Sequence, residues 1–383
     1  MTGQRPSTPH ELVCLALRTL CDADAACALA VAVGDPGVDW KAVCRLADAE
    51  RVAPLLSRAL RPLPTVPAEV ARRLRDAHHR AAASNLLLRR ELTGVLQALD
   101  GAGIPALVLK GAALAETVYP NIALRPMQDL DLLLWQRDLP RALATLAGLG
   151  FAADRVEART GTGAAYENEW HLHKQRGRKT TIEIHWSLFD SPHYQSALAM
   201  DWFWDTADTA MIADTPARML GPEAQLLHLC GHLRLHHRGD ELLWLYDVAQ
   251  VIAAWHARID WRSLLEQACR FDLVLSLRDV LGRVAVDWHA PVPDAVLHQL
   301  RALQPSRREA RVFAWLTQPD RSVAQRLLVD LASLQSWPRR LAFAMINLFP
   351  SADYMRQRYR IRHPVLTPFY YPYRWLRALR GAR

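Results

Sequence analysis

Residues 107–134 read LVLKGAALAETVYPNIALRPMQDLDLLL. An apolar run ends in Lys110-Gly111, a short helical pattern follows, and a second apolar run carries Asp129 and Asp131. Working outward, the strand-like runs IPALVLK (104–110) and QDLDLLL (128–134) alternate with helical patterns near 112–119 and 138–148. Alternation of this kind predicts an α/β domain with its sheet at the centre. A hairpin is expected next, EWHLHK (169–174) and KTTIEIHW (179–186), turning through Gln175-Arg176-Gly177-Arg178.

Asp129 and Asp131 stand two apart in the expected strand, so both carboxylates project from one face while Leu130, Leu132 and Leu134 take the other. Neighbouring acids repel unless a cation neutralises them, and hard oxygen ligands suit Mg²⁺ or Mn²⁺. Glu183, in step with Thr181 and His185 against Ile182, Ile184 and Trp186, offers a third carboxylate. Facing the first two, it would complete a two-metal site for in-line phosphoryl or nucleotidyl transfer. Gly111 permits close backbone approach, and the helix it opens presents free amides to an anion such as a triphosphate.

Other residues keep more than one reading each. Lys110 meets a phosphate or ends a strand in solvent. Arg125 pairs with a phosphate or with Asp129. His185 ligates metal, orients Glu183 or packs beside Trp186. For His171 and His173 the register decides whether either faces Glu183, since one residue of slip reverses the answer. His232 and His236 form an i, i+4 pair with His237 beside it and Asp247 on the next helix. That spacing can bind zinc, face an acceptor or pack as polar core, and it lacks the H-E-x-x-H glutamate.

Strand, Lys-Gly, helix, Tyr-Pro, Arg-Pro, Asp-x-Asp-Leu-Leu and then Glu-x-His-Trp together resemble the bacterial nucleotidyltransferase-like family of the polymerase-β superfamily. The resemblance is concentrated in 104–190 and continues loosely to about 260. It implies Mg²⁺- or Mn²⁺-dependent transfer of a nucleoside monophosphate from an NTP to an acceptor, with release of pyrophosphate. The acceptor class stays open among small molecule, peptide, protein and RNA. Asp129 and Asp131 take the place of the family's metal pair, Glu183 that of its third acid, and Gly111 that of the strand-end glycine. Lys110 and Arg125 join Gly111 on the nucleotide side, with His185, His232, His236 and Asp247 behind the acids or towards the acceptor. Lys110-Gly111-Ala112 departs from the superfamily's Gly-Ser or Gly-Gly. Two rivals remain: a metal-dependent phosphohydrolase or phosphotransferase using the same acids, and a non-catalytic protein acting through its basic tail.

Around this core the chain reads as helices. Residues 1–100 are expected to form a helical region, with Asp39 capping one helix, a proline-punctuated break at 61–67 and a long helix from about 68 to 99. The α/β domain is expected over 101–215, a helical domain over 216–300 and an Arg- and aromatic-rich extension over 301–383. Among 383 residues, 51% are apolar and 22% charged, a globular composition that excludes wholesale disorder. No run is long and apolar enough to span a membrane, no secretory leader is readable, and six cysteines show no metal-binding spacing, so a reducing cytoplasm is expected. The net charge of +8 is local: residues 339–383 hold ten arginines against Asp353 alone. Arginine interleaved with aromatic residues suits a membrane surface, a nucleic acid, or packing of the tail onto its own domain.

Overall fold

Local rules account for the N-terminal helices. Thr8 and Glu11 cap each other at the start of α1 (Pro9–Arg18), and α2 (Ala26–Val33) follows. The Asp39 carboxylate accepts the Ala42 N–H at 2.9 Å to open α3 (Trp40–Ala49), before α4 (Ala53–Leu60). After the proline break, α5 (Ala68–Gly101) runs 34 residues. The structure, a computed structural model, describes residues 8–153, 168–174, 179–237, 239–318, 323–334 and 336–379. The expected turn at 175–178 lies outside the described residues.

A seven-stranded mixed sheet forms the centre, in the order β3-β4-β5-β2-β1-β7-β6. Its strands are β1 (Ala106–Val108), β2 (Leu130–Leu134), β3 (Ala152–Ala153), β4 (Glu169–Lys174), β5 (Thr180–His185), β6 (Asp208–Ile212) and β7 (Thr215–Met219). Helix α6 (Lys110–Thr117) follows β1, and α7 (Leu139–Gly148) follows β2. Strand β2 is buried along its whole length because it lies between β1 and β5 in the middle of the sheet. It starts at Leu130, so Asp129 stands just ahead of the strand rather than in it.

The β6–β7 hairpin carries no glycine or asparagine signal in its turn. Ala213 and Asp214 both take left-handed backbone, with φ of 53° and 56°. Tertiary contacts hold them there: Glu116 accepts the Ala213 N–H at 2.9 Å, and Thr93 donates to its carbonyl at 2.9 Å. Because β7 pairs in parallel with β1, the sheet continues past residue 215, the expected domain end, to Met219.

Between β5 and β6 lie α8 (Pro192–Ala197) and α9 (Met200–Asp205). Beyond the sheet come α10 (Pro222–Leu235), α11 (Leu242–Trp255), α12 (Trp261–Arg270), α13 (Val274–Asp287), α14 (Asp294–Ala302) and α15 (Arg307–Leu316). The tail folds as α16 (Val323–Ser333), α17 (Trp337–Leu348), α18 (Ala352–Tyr359) and α19 (Tyr370–Leu379). Among the described residues, no helix is long and apolar enough to cross a membrane.

One buried ion pair joins the sheet domain to the helices behind it. Arg125 Nε donates to Asp247 Oδ1 at 2.8 Å and Arg125 Nη2 to Oδ2 at 2.8 Å, with both residues buried. Tyr119 donates its hydroxyl to the same carboxylate at 2.7 Å. Asp247→Ala leaves a guanidinium buried without its partner, and the expected loss is about 3–5 kcal/mol in urea unfolding. Adding Arg125→Met removes the stranded charge, so the double variant should recover much of that loss.

Candidate active site

Strand register builds the site. In the parallel β2–β5 pair, Asp131 lies across from Glu183. In the antiparallel β4–β5 pair, His171 lies across from Glu183 and Glu169 across from His185. Cross-strand partners share a face, and so do residues two apart, which gathers these five side chains on one side of the sheet.

The contacts are close. Lys110, the first residue of α6, is held in left-handed backbone at φ 46° and is buried. Its Nζ donates to Asp131 Oδ1 at 2.7 Å and lies 3.9 Å from Glu183 Oε2. His185 sits 3.0 Å from Asp131 Oδ1 through Nε2 and 3.0 Å from Glu169 Oε2 through Nδ1. His171 Nδ1 is 3.4 Å from Glu183 Oε1. One ligand atom each from Asp131, Glu183 and His185 lies within 4.8 Å of the others, the one metal-competent group of this kind among the described residues.

Electrostatics distinguish these groups. Burial works to raise the Asp131 carboxyl, but Lys110 and His185 outweigh it and hold it well below the carboxylate range. Burial and Lys110 both push His185 down, yet hydrogen bonding to the surrounding carboxylates leaves it raised to about 10. An acid thus lies within 3.0 Å of each ring nitrogen of His185, Asp131 at Nε2 and Glu169 at Nδ1. Glu169 is likewise held low: burial would raise it, and hydrogen bonds from His171 and His185 prevail. Asp129 goes the other way. Burial, then the charges of Asp131 and Glu183, push it up to about 6.

Lys110, His171 and His185 thus stand among the carboxylates of Asp131, Glu169 and Glu183. Asp131, Glu183 and His185 are the residues that could hold an ion, and the oxygen donors of the two acids have the hardness that Mg²⁺ or Mn²⁺ prefers.

The remaining expected site residues fall into different places. Gly111 stands where an added Cβ would meet Arg125 Nη1 and Met127 Cγ at 3.2 Å, so close packing of the loop beneath it favours glycine. The Arg125 guanidinium is bound to Asp247, 122 residues later in the chain and invisible from local spacing. His232 and His236 are not gathered with the acids. Their rings stack at 4.9 Å and 22°, His237 Nε2 lies 3.0 Å from His232 Nε2, and burial followed by the Lys110 charge keeps His232 neutral.

Three further residues belong to the site's surroundings. Glu169 becomes visible only once the hairpin register is known. Asn85 of α5 donates its amide to the Ile122 and Arg125 carbonyls at 2.6 and 2.8 Å and accepts the Met127 N–H at 3.1 Å. It therefore clamps the loop that delivers Asp129. Arg51, half-buried at the α3–α4 junction with φ 58°, lies over the Trp244 ring at 5.7 Å, while Arg125 lies over the same ring at 5.3 Å. Its charge is felt by Asp129, Asp247 and Glu241.

The Asp129 shift makes a signed prediction. Between 3.8 and about 6 the native protein keeps a proton that the unfolded chain has released, so stability falls as pH rises through that window. Asp129→Asn should therefore stabilise the chelator-treated protein at pH 7.5 by on the order of 2 kcal/mol. Thermal melts at falling pH should show that gain shrinking to nothing near pH ~4.

A family profile described as "uncharacterised nucleotidyltransferase" matches residues 36–286. No curated protein matches the sequence. The crystal structure of an antigenic nucleotidyltransferase-like protein from Paracoccidioides brasiliensis is similar at 17% identity and a TM-score of 0.38, covering 57% of this chain and 98% of that one. The family match spans the α3–α13 region, including the whole sheet, and the chain belongs to the uncharacterised nucleotidyltransferase family.

Proposed function

We propose that the protein transfers a nucleoside monophosphate from an NTP to an acceptor nucleophile and releases pyrophosphate. The observation that carries this reading is the facing of Asp131 and Glu183 on adjacent strands with Asp129 at the strand mouth. Burial first, and then the charges of Asp131 and Glu183, raise the Asp129 carboxyl, which supports a cation beside these acids. Asp129, Asp131 and Glu183 would hold Mg²⁺ or Mn²⁺, whose bound charge would offset that of the triphosphate and of the transferring phosphoryl group.

The chain's own groups have separable roles in this reading. Lys110 keeps Asp131 and Glu183 together and presents its ammonium beside the transferring phosphate. Glu183, less enclosed than Asp131, takes the proton from the acceptor. Arg51 supplies the guanidinium towards the triphosphate, since Arg125 is committed to Asp247. His232, His236 and Trp244 form a neutral wall on the acceptor side. Six free thiols and the use of an NTP suit a cytoplasmic location.

Nucleotide labelled at the α- or γ-phosphate, offered with Mg²⁺ and panels of small-molecule, peptide and RNA acceptors, tests the reading. The α-label should move to an acceptor while the γ-label leaves as pyrophosphate. Release of orthophosphate instead would make the protein a phosphohydrolase. Asp131→Asn should lower transfer at least ~10²-fold, while the fold persists in a thermal melt. Arg51→Gln should raise KM for NTP about tenfold and leave kcat within about twofold, as loss of a ground-state phosphate contact does.

A further inference from the structure

The tail exposes two rows of apolar side chains. On α17, Trp337, Leu341, Met345 and Leu348 are 74%, 57%, 40% and 46% exposed, at spacings that keep them on one helix face. Val365 and Phe369 on the 3₁₀ helix Pro364–Phe369 are 82% and 73% exposed, and Tyr373 and Leu376 on α19 are 51% and 54% exposed. The two rows belong to one packed unit. Trp375 Nε1 donates to the Leu348 carbonyl at 2.9 Å, Tyr371 donates to Pro350 at 2.6 Å, and the Phe349 and Trp375 rings meet at 5.4 Å. Some aromatic residues thus do pack the tail, and the apolar rows are what that packing leaves outside.

Charge surrounds these rows. Arg339, Arg358, Arg360 and Arg362 are exposed, and Asp353, the one acid of 339–383, pairs with Arg356. At the root of α17, a cavity of about 520 Å³ is lined by Arg308, Arg311 and Arg340 with no acidic lining residue. We propose that the C-terminal helices dock the protein onto an anionic phospholipid surface, the apolar rows entering the acyl boundary and the arginines meeting lipid phosphates.

Charge complementarity selects this occupant. A second copy would bring two strongly basic tails together, which repel. Nucleic acid would satisfy the arginines, but Val365, Leu341, Met345 and Leu348 offer no ring for a base to stack on. A bilayer meets both halves of the pattern, because basic residues and exposed apolar helix faces act together at an anionic interface. The prolines fit as well. Pro338 and Pro364 stand in the first turns of short helical pieces, so the surface is assembled from several segments rather than one long helix.

Flotation of the full-length protein with phosphatidylcholine vesicles, with and without phosphatidylglycerol, tests the proposal. Binding should require phosphatidylglycerol and weaken as salt rises. Trp337→Glu/Leu341→Glu and, separately, Val365→Glu/Phe369→Glu should each lower it at least about fivefold, and Arg358→Glu/Arg362→Glu about tenfold. All six positions are exposed, so melting temperatures should stay at the wild-type value, and a variant that melts early is replaced by the corresponding serine or glutamine pair. Equal binding to both vesicle types, indifference to both apolar pairs, or no flotation would overturn the proposal. So would capture of single-stranded RNA that outcompetes the vesicles and ignores the apolar substitutions, which would assign the tail to nucleic acid.

Discussion

The Arg125–Asp247 ion pair is the constraint on which the rest of the architecture turns. It is buried, bidentate and shared with the Tyr119 hydroxyl, so the guanidinium and the carboxylate have little freedom to serve anything else. The pair fixes the loop before Asp129 against α11, while Asn85 clamps the same loop from α5. Acids that repel one another must be held by something other than their own attraction, and these two fastenings hold them. Glu50 adds a third tie by accepting the Leu242 N–H at 2.9 Å, which seats the N-terminal helices on α11 and brings Arg51 over Trp244.

Within the site, Lys110 and His185 do more than fill space. Each brings a fixed cation into the row of carboxylates, and Lys110 does so from a left-handed backbone that costs about 1–3 kcal/mol in a residue with a Cβ. That strain is tolerable because the ammonium is held by Asp131 and Glu183 at the sheet centre. Both cations sit against the carboxylates from inside the cluster. Asp129 remains the acid without a cation of its own, and it is the one whose carboxyl is driven upward.

The tail is chemically a different object. The sheet domain concentrates negative charge in a buried row, whereas 339–383 spreads arginine over short helices with uncovered apolar faces. The two parts are joined through α16, and the Arg308 guanidinium reaches the Ser333 carbonyl at 3.0 Å to tie that helix to α15.

The sequence by itself determined the elements whose cause is local. Period-two and helical patterns located β2, β4, β5 and α5, Asp39 announced its cap, and the run from Lys110 to Glu183 identified the acids and the family. It could not show β6 and β7, because their turn takes left-handed backbone without glycine and is stabilised by Glu116, Thr93 and Arg89 from distant helices. Nor could it pair Arg125 with Asp247, 122 residues later, since a buried ion pair needs only proximity in the fold and leaves no spacing in the chain. Register was the decisive unknown for Glu169 and His171. A strand's side-chain period is two, so one residue of slip would have turned both away from Glu183 and His185, and only the assembled sheet sets that alignment.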